Sequence, residues 1–158
     1  MTASPETALL AKLMLALDAV LAGADSAARV LGPLPSSIAD FAALAEIRSV
    51  GARALLKAVE QAQDLLARIF RTYLLAEQVD ISDMTARDIA NRMEKYGLLA
   101  NADTWSELVR LRNRLAHEYP VSPSSQHERV SDALAAVSTL RAVRDGLLPT
   151  LSAKGYLS

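Results

Sequence analysis

The hydrophobic positions of the chain recur at helical spacing over most of its length. Apolar residues repeat every three or four positions across residues 10–24, 55–73 and 130–147, which is the period of one face of a helix. No stretch alternates convincingly between apolar and polar residues with the period of two that indicates a half-buried strand. The pattern therefore predicts an all-α fold, a mostly antiparallel helical bundle of four main helices with one or two short helices added.

Proline and capping residues set the predicted ends of the first helices. Ser4 can cap a helix whose first position is Pro5, and this helix is expected to run to about residue 30. The sequence "LGPLPSS" then ends it, because two prolines and a glycine cannot continue a helix. A short helix over residues 38–48 and a long helix over residues 50–78 are predicted to follow.

The next two helices also carry boundary residues. A helix over residues 85–96 is expected to stop at Gly97, because glycine readily adopts the left-handed conformation of a C-terminal cap. "TWSE" at residues 104–107 has the spacing of a capping box and is predicted to open the next helix. Pro120 limits that helix.

A second capping-box spacing, "SQHE" at residues 125–128, opens the final predicted helix. Pro149 is expected to close this helix, because proline disrupts a helix interior. His127 lies inside the capping sequence and is predicted to be an ordinary surface residue.

Composition narrows the class of protein. A chain of 158 residues predicts a single domain, since this length can bury roughly 70% of its unfolded surface. The net charge of −1 creates no overall positive field, so any contact with RNA would need a local patch. The absence of cysteine excludes disulfides, zinc–thiolate sites and a cysteine nucleophile, which fits a cytoplasmic location. Residues 8–24 are apolar, but this stretch is too short for a membrane span and, with Lys12 and Asp18, too charged for one.

The polar stretch "RLRNRLAHEYP", residues 110–120, stands out because it lies inside a helical pattern. On a helix with about 100° per residue, Arg112 lies about 40° from Leu108 on the packing face, whereas Arg110 and Arg114 lie on the wettable side. A charged arginine on a packing face is costly unless it is paired or lines a wet cleft. The plainer interpretation is an arginine that lays its methylenes on the core and reaches water or a carboxylate.

His117 follows five positions after Arg112, which is about 140° around an ideal helix. The two side chains could converge only if the last turn loosens before Pro120, or if the site forms between two chains. Asn113 is four residues before His117 and shares its face. The plainer interpretation of His117 is a histidine at a helix C-terminus, where the helix dipole favours its positive charge.

Polar residues of the long helix are most simply interpreted as its solvated face, and these are Gln61, Gln63 and Asp64. Glu60 could turn toward Arg112. Tyr73 and Trp105 are predicted to be core residues rather than platforms for stacked bases. Neither a histidine–carboxylate cluster with metal spacing nor a phosphate-binding glycine pattern is present, so no metal and no cofactor is expected.

The residues "RNRLAHEY" at 112–119 contain the pattern R-x4-H-x-Y and resemble the motif of HepT-like proteins, within the HEPN superfamily of RNA-cleaving domains. "RALLKAVEQAQDLLARIF" is similar to the long second helix of that family. "RMEKYGLLANADTWSELVRLRNRLAHEY" is similar to its glycine turn and motif helix. The resemblance covers roughly residues 53–147 and implies a HEPN-like helical domain.

This resemblance implies a metal-independent endoribonuclease toxin, in which the 2′-hydroxyl of RNA attacks the adjacent phosphate. Arg112 and His117 would be the catalytic residues, and Asn113 would support them. The residue types suit this chemistry, because histidine moves protons near neutral pH and arginine presents a fork of donors to phosphate oxygens. One chain supplies one motif histidine for two proton transfers, and a symmetric homodimer would supply the second.

The resemblance also implies a partner, a minimal nucleotidyltransferase that acts as antitoxin and modifies Tyr119 with AMP. A second function from a different class stays open, namely a non-catalytic helical subunit that binds substrate for a nucleotidyltransferase. The near-neutral charge and the 140° offset favour that alternative, whereas the complete motif favours the ribonuclease.

Overall fold

The structure is a computed structural model that describes residues 3–118 and 120–158. Over these residues it contains six helices and no strand, which confirms the predicted all-α class. The helices are α1 (Pro5–Leu31), α2 (Ile38–Ala42), α3 (Glu46–Ala76), α4 (Ala86–Lys95), α5 (Ala102–His117) and α6 (Pro123–Ala153).

Helices α1 and α3 form a tight antiparallel hairpin. A Cβ atom added at Gly51 would lie 2.8 Å from the backbone nitrogen of Leu31 and 3.0 Å from the carbonyl oxygen of Ala27. Only glycine therefore fits where α3 passes the end of α1. The guanidinium of Arg48 donates to the carbonyl oxygens of Leu31 and Pro33, at 2.6 Å and 2.5 Å, and so satisfies acceptors left free at the end of α1.

Contacts between side chains show how the other main helices run. Phe70 of α3 packs against Trp105 near the start of α5, and Asp64 of α3 meets Arg112 further along α5. Helix α5 is therefore antiparallel to α3. Helix α6 is antiparallel to α1 and α5, as shown by the pairs Asp18–Arg144, Asp25–Arg141, Arg114–Asp132 and Glu118–Arg129. The four main helices thus form a bundle in which α1 and α5 run opposite to α3 and α6.

The apolar stripe predicted on the long helix lies in the core. Its residues are each at most 3% exposed: Leu55, Val59, Ala62, Leu66, Ile69 and Tyr73. Trp105 is 3% exposed, which confirms that it is a core residue. The predicted cap after α4 is also confirmed, because Gly97 has a φ of 79°.

Two predicted helix starts are wrong because a side chain earlier in the sequence caps the helix. Asn101, not Thr104, opens α5, since its Oδ1 accepts from the backbone nitrogens of Asp103 and Thr104 at 2.8 Å and 3.1 Å. Ser122 opens α6, since its Oγ accepts from the backbone nitrogen of Ser125 at 3.1 Å. In both places a capping residue lies three positions before the predicted one.

The helices near residues 38–50 also differ from the prediction. Helix α2 ends at Ala42 after five residues, and α3 begins at Glu46 rather than at residue 50. The turn between them contains neither proline nor glycine, so the pattern carried no sign of it.

Pro149 does not close α6, which continues to Ala153. Leu147 and Leu151 on either side of the proline are 0% exposed, and their packing offsets the backbone hydrogen bond that proline removes. His127 is not an ordinary surface residue either. Its Nε2 lies 2.7 Å from the carbonyl oxygen of Pro35 and its ring meets Phe41 edge-on, so it ties α6 to α2 and the loop before it.

Helix α1 corrects the argument from length about a membrane span. It has 27 residues and is long and apolar enough to cross a membrane by length and composition alone. The core helix of a soluble protein passes the same test, and α1 buries one face, chiefly against α3. The buried residues of that face include Leu10, Leu13, Leu17, Leu21 and Ala24.

Candidate functional site

Arg112 extends from α5 toward α3 and forms a two-pronged ion pair with Asp64. Its Nε lies 2.7 Å from Oδ1, and its Nη2 lies 3.1 Å from Oδ2. The side chains are 26% and 45% exposed, so the pair lies at a partly solvated edge of the bundle. The hydrogen bonds to Asp64 raise the pKa of Arg112 despite the opposing effect of partial burial, and the charges of Asp64 and Glu60 add to the rise.

The pair shows that Arg112 reaches a carboxylate, as its plainer interpretation predicts, and the same side chain also lines a pocket. The pair also corrects the interpretation of its other member, because Asp64 does not simply belong to a solvated face. Phe70 and Trp105, whose ring centroids are 4.5 Å apart, fix how α3 and α5 lie against each other. The antiparallel packing then brings Asp64 opposite Arg112.

Gln63 is a second residue that the sequence interpretation placed wrongly. It is 4% exposed rather than solvated. Helix α3 is covered on two sides, since it packs against α1 and also against α4, α5 and α6. A second apolar row beside the main stripe carries this contact and could have been found in the sequence: Ala52, Leu56, Ala67, Phe70 and Leu74.

His117 is the last residue of α5 and is exposed. Because α5 stays α-helical up to His117, the offset of about 140° between it and Arg112 is retained. Within the described residues no hydrogen bond joins the two side chains, and the structure does not bring them together in one chain. Tyr119 lies outside the described residues.

Asn113 is exposed, and its side chain contacts that of Arg112. Its Oδ1 is 3.5 Å from Nη1 of Arg112, which is the limit of a hydrogen bond. A contact this long does not test the supporting role of Asn113, which stays a prediction.

Arg129 is a residue of the site region that the sequence interpretation missed. Its Nη1 donates to the carbonyl oxygens of Arg114 and Glu118, at 3.0 Å and 3.4 Å, and its Nη2 donates to Oε2 of Glu118 at 2.7 Å. The side chain is only 13% exposed. Arg129 thus holds the end of α5 that carries His117. Its partners lie on another helix, so no spacing along the sequence indicates them.

A pocket of about 200 Å³ opens beside Arg112, between α3, α5 and the start of α4. Its polar lining consists of Gln63, Asp64, Arg71, Arg112 and Asn113. A larger pocket of about 530 Å³ lies between α2, α3 and α6 at the other end of the motif, and Glu118 and Pro120 contribute to its wall. Among the described residues, no group of three or more histidine, aspartate or glutamate side chains is placed to hold a metal ion.

No protein-family model, curated protein or solved structure matches this chain. The resemblance to HepT-like proteins rests on the motif and its flanking helices alone, and what it implies about activity and partners is a proposal.

Proposed function

We propose that this protein is a metal-independent endoribonuclease of the HepT-like type. In this proposal it acts in the cytoplasm as a homodimer, and a nucleotidyltransferase partner restrains it. The observation that supports the proposal is the position and orientation of the Arg112 side chain. Its guanidinium is held in a fixed orientation at a partly solvated edge, beside a pocket and on the same helix as the exposed His117.

The pair with Asp64 leaves Arg112 able to bind a phosphate. A guanidinium has five N–H donors, and Asp64 takes one from Nε and one from Nη2. The remaining donors can reach the oxygens of an RNA phosphate and stabilise the negative charge of the transition state. Asp64 would then act as a positioning residue, because it fixes the plane in which those donors lie.

The proposed reaction needs two proton transfers. A base takes the proton of the ribose 2′-hydroxyl, the 2′-oxygen bonds to the adjacent phosphorus, and the bond from phosphorus to the 5′-oxygen breaks. An acid returns a proton to that 5′-oxygen, which leaves a 2′,3′-cyclic phosphate and a 5′-hydroxyl. One His117 cannot hold both roles at once, and since it diverges from Arg112 within one chain, we propose that a second copy supplies the other His117 across a two-fold axis.

A non-catalytic helical subunit that binds substrate for a nucleotidyltransferase is the second candidate function. The ion pair favours this candidate, because Asp64 neutralises the positive charge with which Arg112 would stabilise a transition state. The separation of Arg112 and His117 in one chain also favours it.

Cleavage of RNA by the purified protein in excess EDTA tests the proposal. We expect products ending in a 2′,3′-cyclic phosphate, lost when Arg112→Ala and His117→Ala are combined. Arg110→Ala is the matched control, because Arg110 is exposed on the same helix but does not line the pocket. No cleavage by the wild-type protein, or cleavage that persists in the double variant, would favour the binding subunit.

The proposed partner would silence the enzyme by attaching AMP to Tyr119. A phosphate placed there would compete with the substrate phosphate for Arg112. Mass spectrometry of the intact protein after co-expression with an adjacent nucleotidyltransferase tests this. We expect a mass increase by whole AMP units that is absent in Tyr119→Phe, whereas AMP found only on other residues would remove Tyr119 from the mechanism.

A further inference from the structure

Gln63 is a buried polar residue whose side-chain amide has no hydrogen-bond partner among the described residues. The residue is 4% exposed, and its side chain lines the pocket beside Arg112. Among the described residues no side-chain nitrogen or oxygen is both fully buried and without a hydrogen-bond partner, so the amide of Gln63 still reaches water through the pocket. A polar group that enters the pocket can take the place of that water.

The rest of the lining describes what could enter. Phe70, Trp105 and Val109 form apolar walls. Asn113 adds a second amide, and both carboxylate oxygens of Asp64 are taken by Arg112. The pocket is therefore lined by the edges of buried apolar side chains and by two amides, and of these amides only that of Asn113 has a contact, at 3.5 Å from Nη1 of Arg112.

Arg71 gives the pocket its net charge. The charges of Asp64 and Arg112 offset each other, whereas Arg71 is exposed and makes no ion pair with a described residue. One positive charge remains at the opening. The ligand that matches this lining has apolar faces, a hydrogen-bonding edge and one negative charge beside it.

We propose that this pocket binds one base of single-stranded RNA, with the edge of the base on the amides of Gln63 and Asn113 and the adjoining phosphate on Arg71. A volume of about 200 Å³ suits a single ring system, since pockets for whole drug-sized ligands measure about 300–1,000 Å³. A glutamine or asparagine amide can make two hydrogen bonds to adenine, whose N6 donor and N7 acceptor lie side by side, and adenine is therefore the base that we expect. The base has to be unstacked to enter, so the substrate is a single strand.

This inference rests on the proposed ribonuclease only for the step that follows binding. A base in this pocket would lie next to Arg112, and the pocket would choose which bond is cut. Binding can be measured without cleavage, so the two proposals can fail separately.

Nuclear magnetic resonance tests binding directly. Trp105 is the only tryptophan of the chain and lines the pocket, so the protein gives one indole N–H signal at the site. AMP, CMP, GMP, UMP and inorganic phosphate are titrated separately. We expect AMP to shift this signal at the lowest concentration, and phosphate alone to leave it nearly unchanged.

The variant Gln63→Met removes the amide and keeps an unbranched side chain of similar length. We expect it to weaken the affinity for AMP by about tenfold, the loss of one amide–base pair, while the circular dichroism spectrum stays that of the folded wild type. Gln61→Met is the matched control, because Gln61 is exposed on the same helix and outside the pocket. Its affinity for AMP should not change.

Three outcomes would overturn the base pocket. They are no shift of the Trp105 signal with any nucleotide, equal shifts with all nucleotides and phosphate, or an unchanged affinity in Gln63→Met. If AMP binds as expected but RNA is not cleaved, the pocket stands and the ribonuclease proposal fails. If RNA is cleaved without any shift of the Trp105 signal, the pocket fails and the ribonuclease stands.

Discussion

Helix α3 packs against α1 and against α5, and the two contacts differ in kind. Toward α1, Gly51 lets the two backbones come so close that a single added Cβ would overlap the chain. Toward α5, the contact is apolar at Phe70 and Trp105 but changes to the ion pair of Asp64 and Arg112 within two turns. The first contact is a close packing of two backbones, whereas the second keeps polar side chains where apolar ones would pack.

The difference between the two contacts of α3 indicates which of them is built for stability alone and which includes residues kept for function. Apolar residues could fill the positions of Gln63 and Asp64 and join Phe70 in a continuous interface with α5. Instead one nearly buried position holds an amide and one carboxylate is used to hold an arginine. Proteins keep such locally unfavourable choices chiefly at functional sites. The polar end of the α3–α5 contact is therefore where function is expected, and four experiments test the contrast.

The apolar end of the α3–α5 contact should give the largest loss of stability. Phe70 is 1% exposed and packs against Trp105. We expect Phe70→Ala to lower the free energy of unfolding by about 3–5 kcal/mol, because it removes a large buried side chain and leaves a cavity. Urea unfolding followed by circular dichroism measures this. A loss below about 1 kcal/mol would mean that the rings do not join the two helices.

The close approach of α1 and α3 should give the next largest effect. We expect Gly51→Ala to lower the free energy of unfolding by about 1–3 kcal/mol, because the new methyl group overlaps backbone atoms of α1. Gly23→Ala is the matched control. A Cβ there meets nothing within 4 Å, so alanine should raise the stability by about 0.5–1 kcal/mol through its helix propensity. Equal effects of the two substitutions would contradict the close packing at Gly51.

The same contrast explains what could be predicted from the sequence. The α1–α3 hairpin follows from apolar spacing and from the proline-rich break between the helices, and both are local features of the chain. The stripe from Leu55 to Tyr73 indicated one buried face of α3. It did not indicate the second buried face, because the polar Gln63 interrupts the second apolar row. One apolar stripe is also all that a helix on the surface of a bundle needs.

The residues of the candidate site that lie on one helix were predicted from the sequence, whereas contacts between residues of two different helices were missed. Arg112 on a packing face showed that a partner or a wet cleft was needed, but the choice between Glu60 and Asp64 depends on how α5 lies against α3. Arg129 was missed for a similar reason, because it contacts carbonyl oxygens and backbone acceptors carry no mark in a sequence. Caps were misplaced where two candidate residues lay three positions apart, as at Asn101 and Thr104.

The ion pair at the polar end should contribute little to stability and much to cleavage. Both side chains are partly solvated, so we expect Asp64→Asn to lower the free energy of unfolding by at most about 1 kcal/mol. If Arg112 binds the RNA phosphate, the same variant should reduce cleavage by about tenfold or more, because the guanidinium loses its fixed orientation. Urea unfolding and cleavage rates are measured side by side. A large loss of stability with unchanged cleavage would assign the pair to the core.

A third contact of α3, at its C-terminal end, should give the smallest effect and one that depends on pH. Glu77 accepts from the hydroxyl of Tyr156 at 2.7 Å and from Nζ of Lys154 at 3.0 Å. Burial raises the pKa of Glu77, but these hydrogen bonds outweigh it, and the net pKa is lower than in the unfolded chain. A depressed carboxylate pKa stabilises the fold above the unfolded value, and that stabilisation is lost as pH falls through the folded value.

Glu77→Gln should therefore lower the free energy of unfolding near neutral pH by at most about 1 kcal/mol, since solvent screens the pair. The difference between the variant and the wild type should shrink as the pH falls below the ordinary range of a glutamate. Urea unfolding at a series of pH values measures it, with Glu107→Gln as the control, because Glu107 is exposed in the interior of α5, away from the charged ends of that helix. A difference that stays constant or grows in acid would show that the charge of Glu77 does not hold the C-terminal residues against α3.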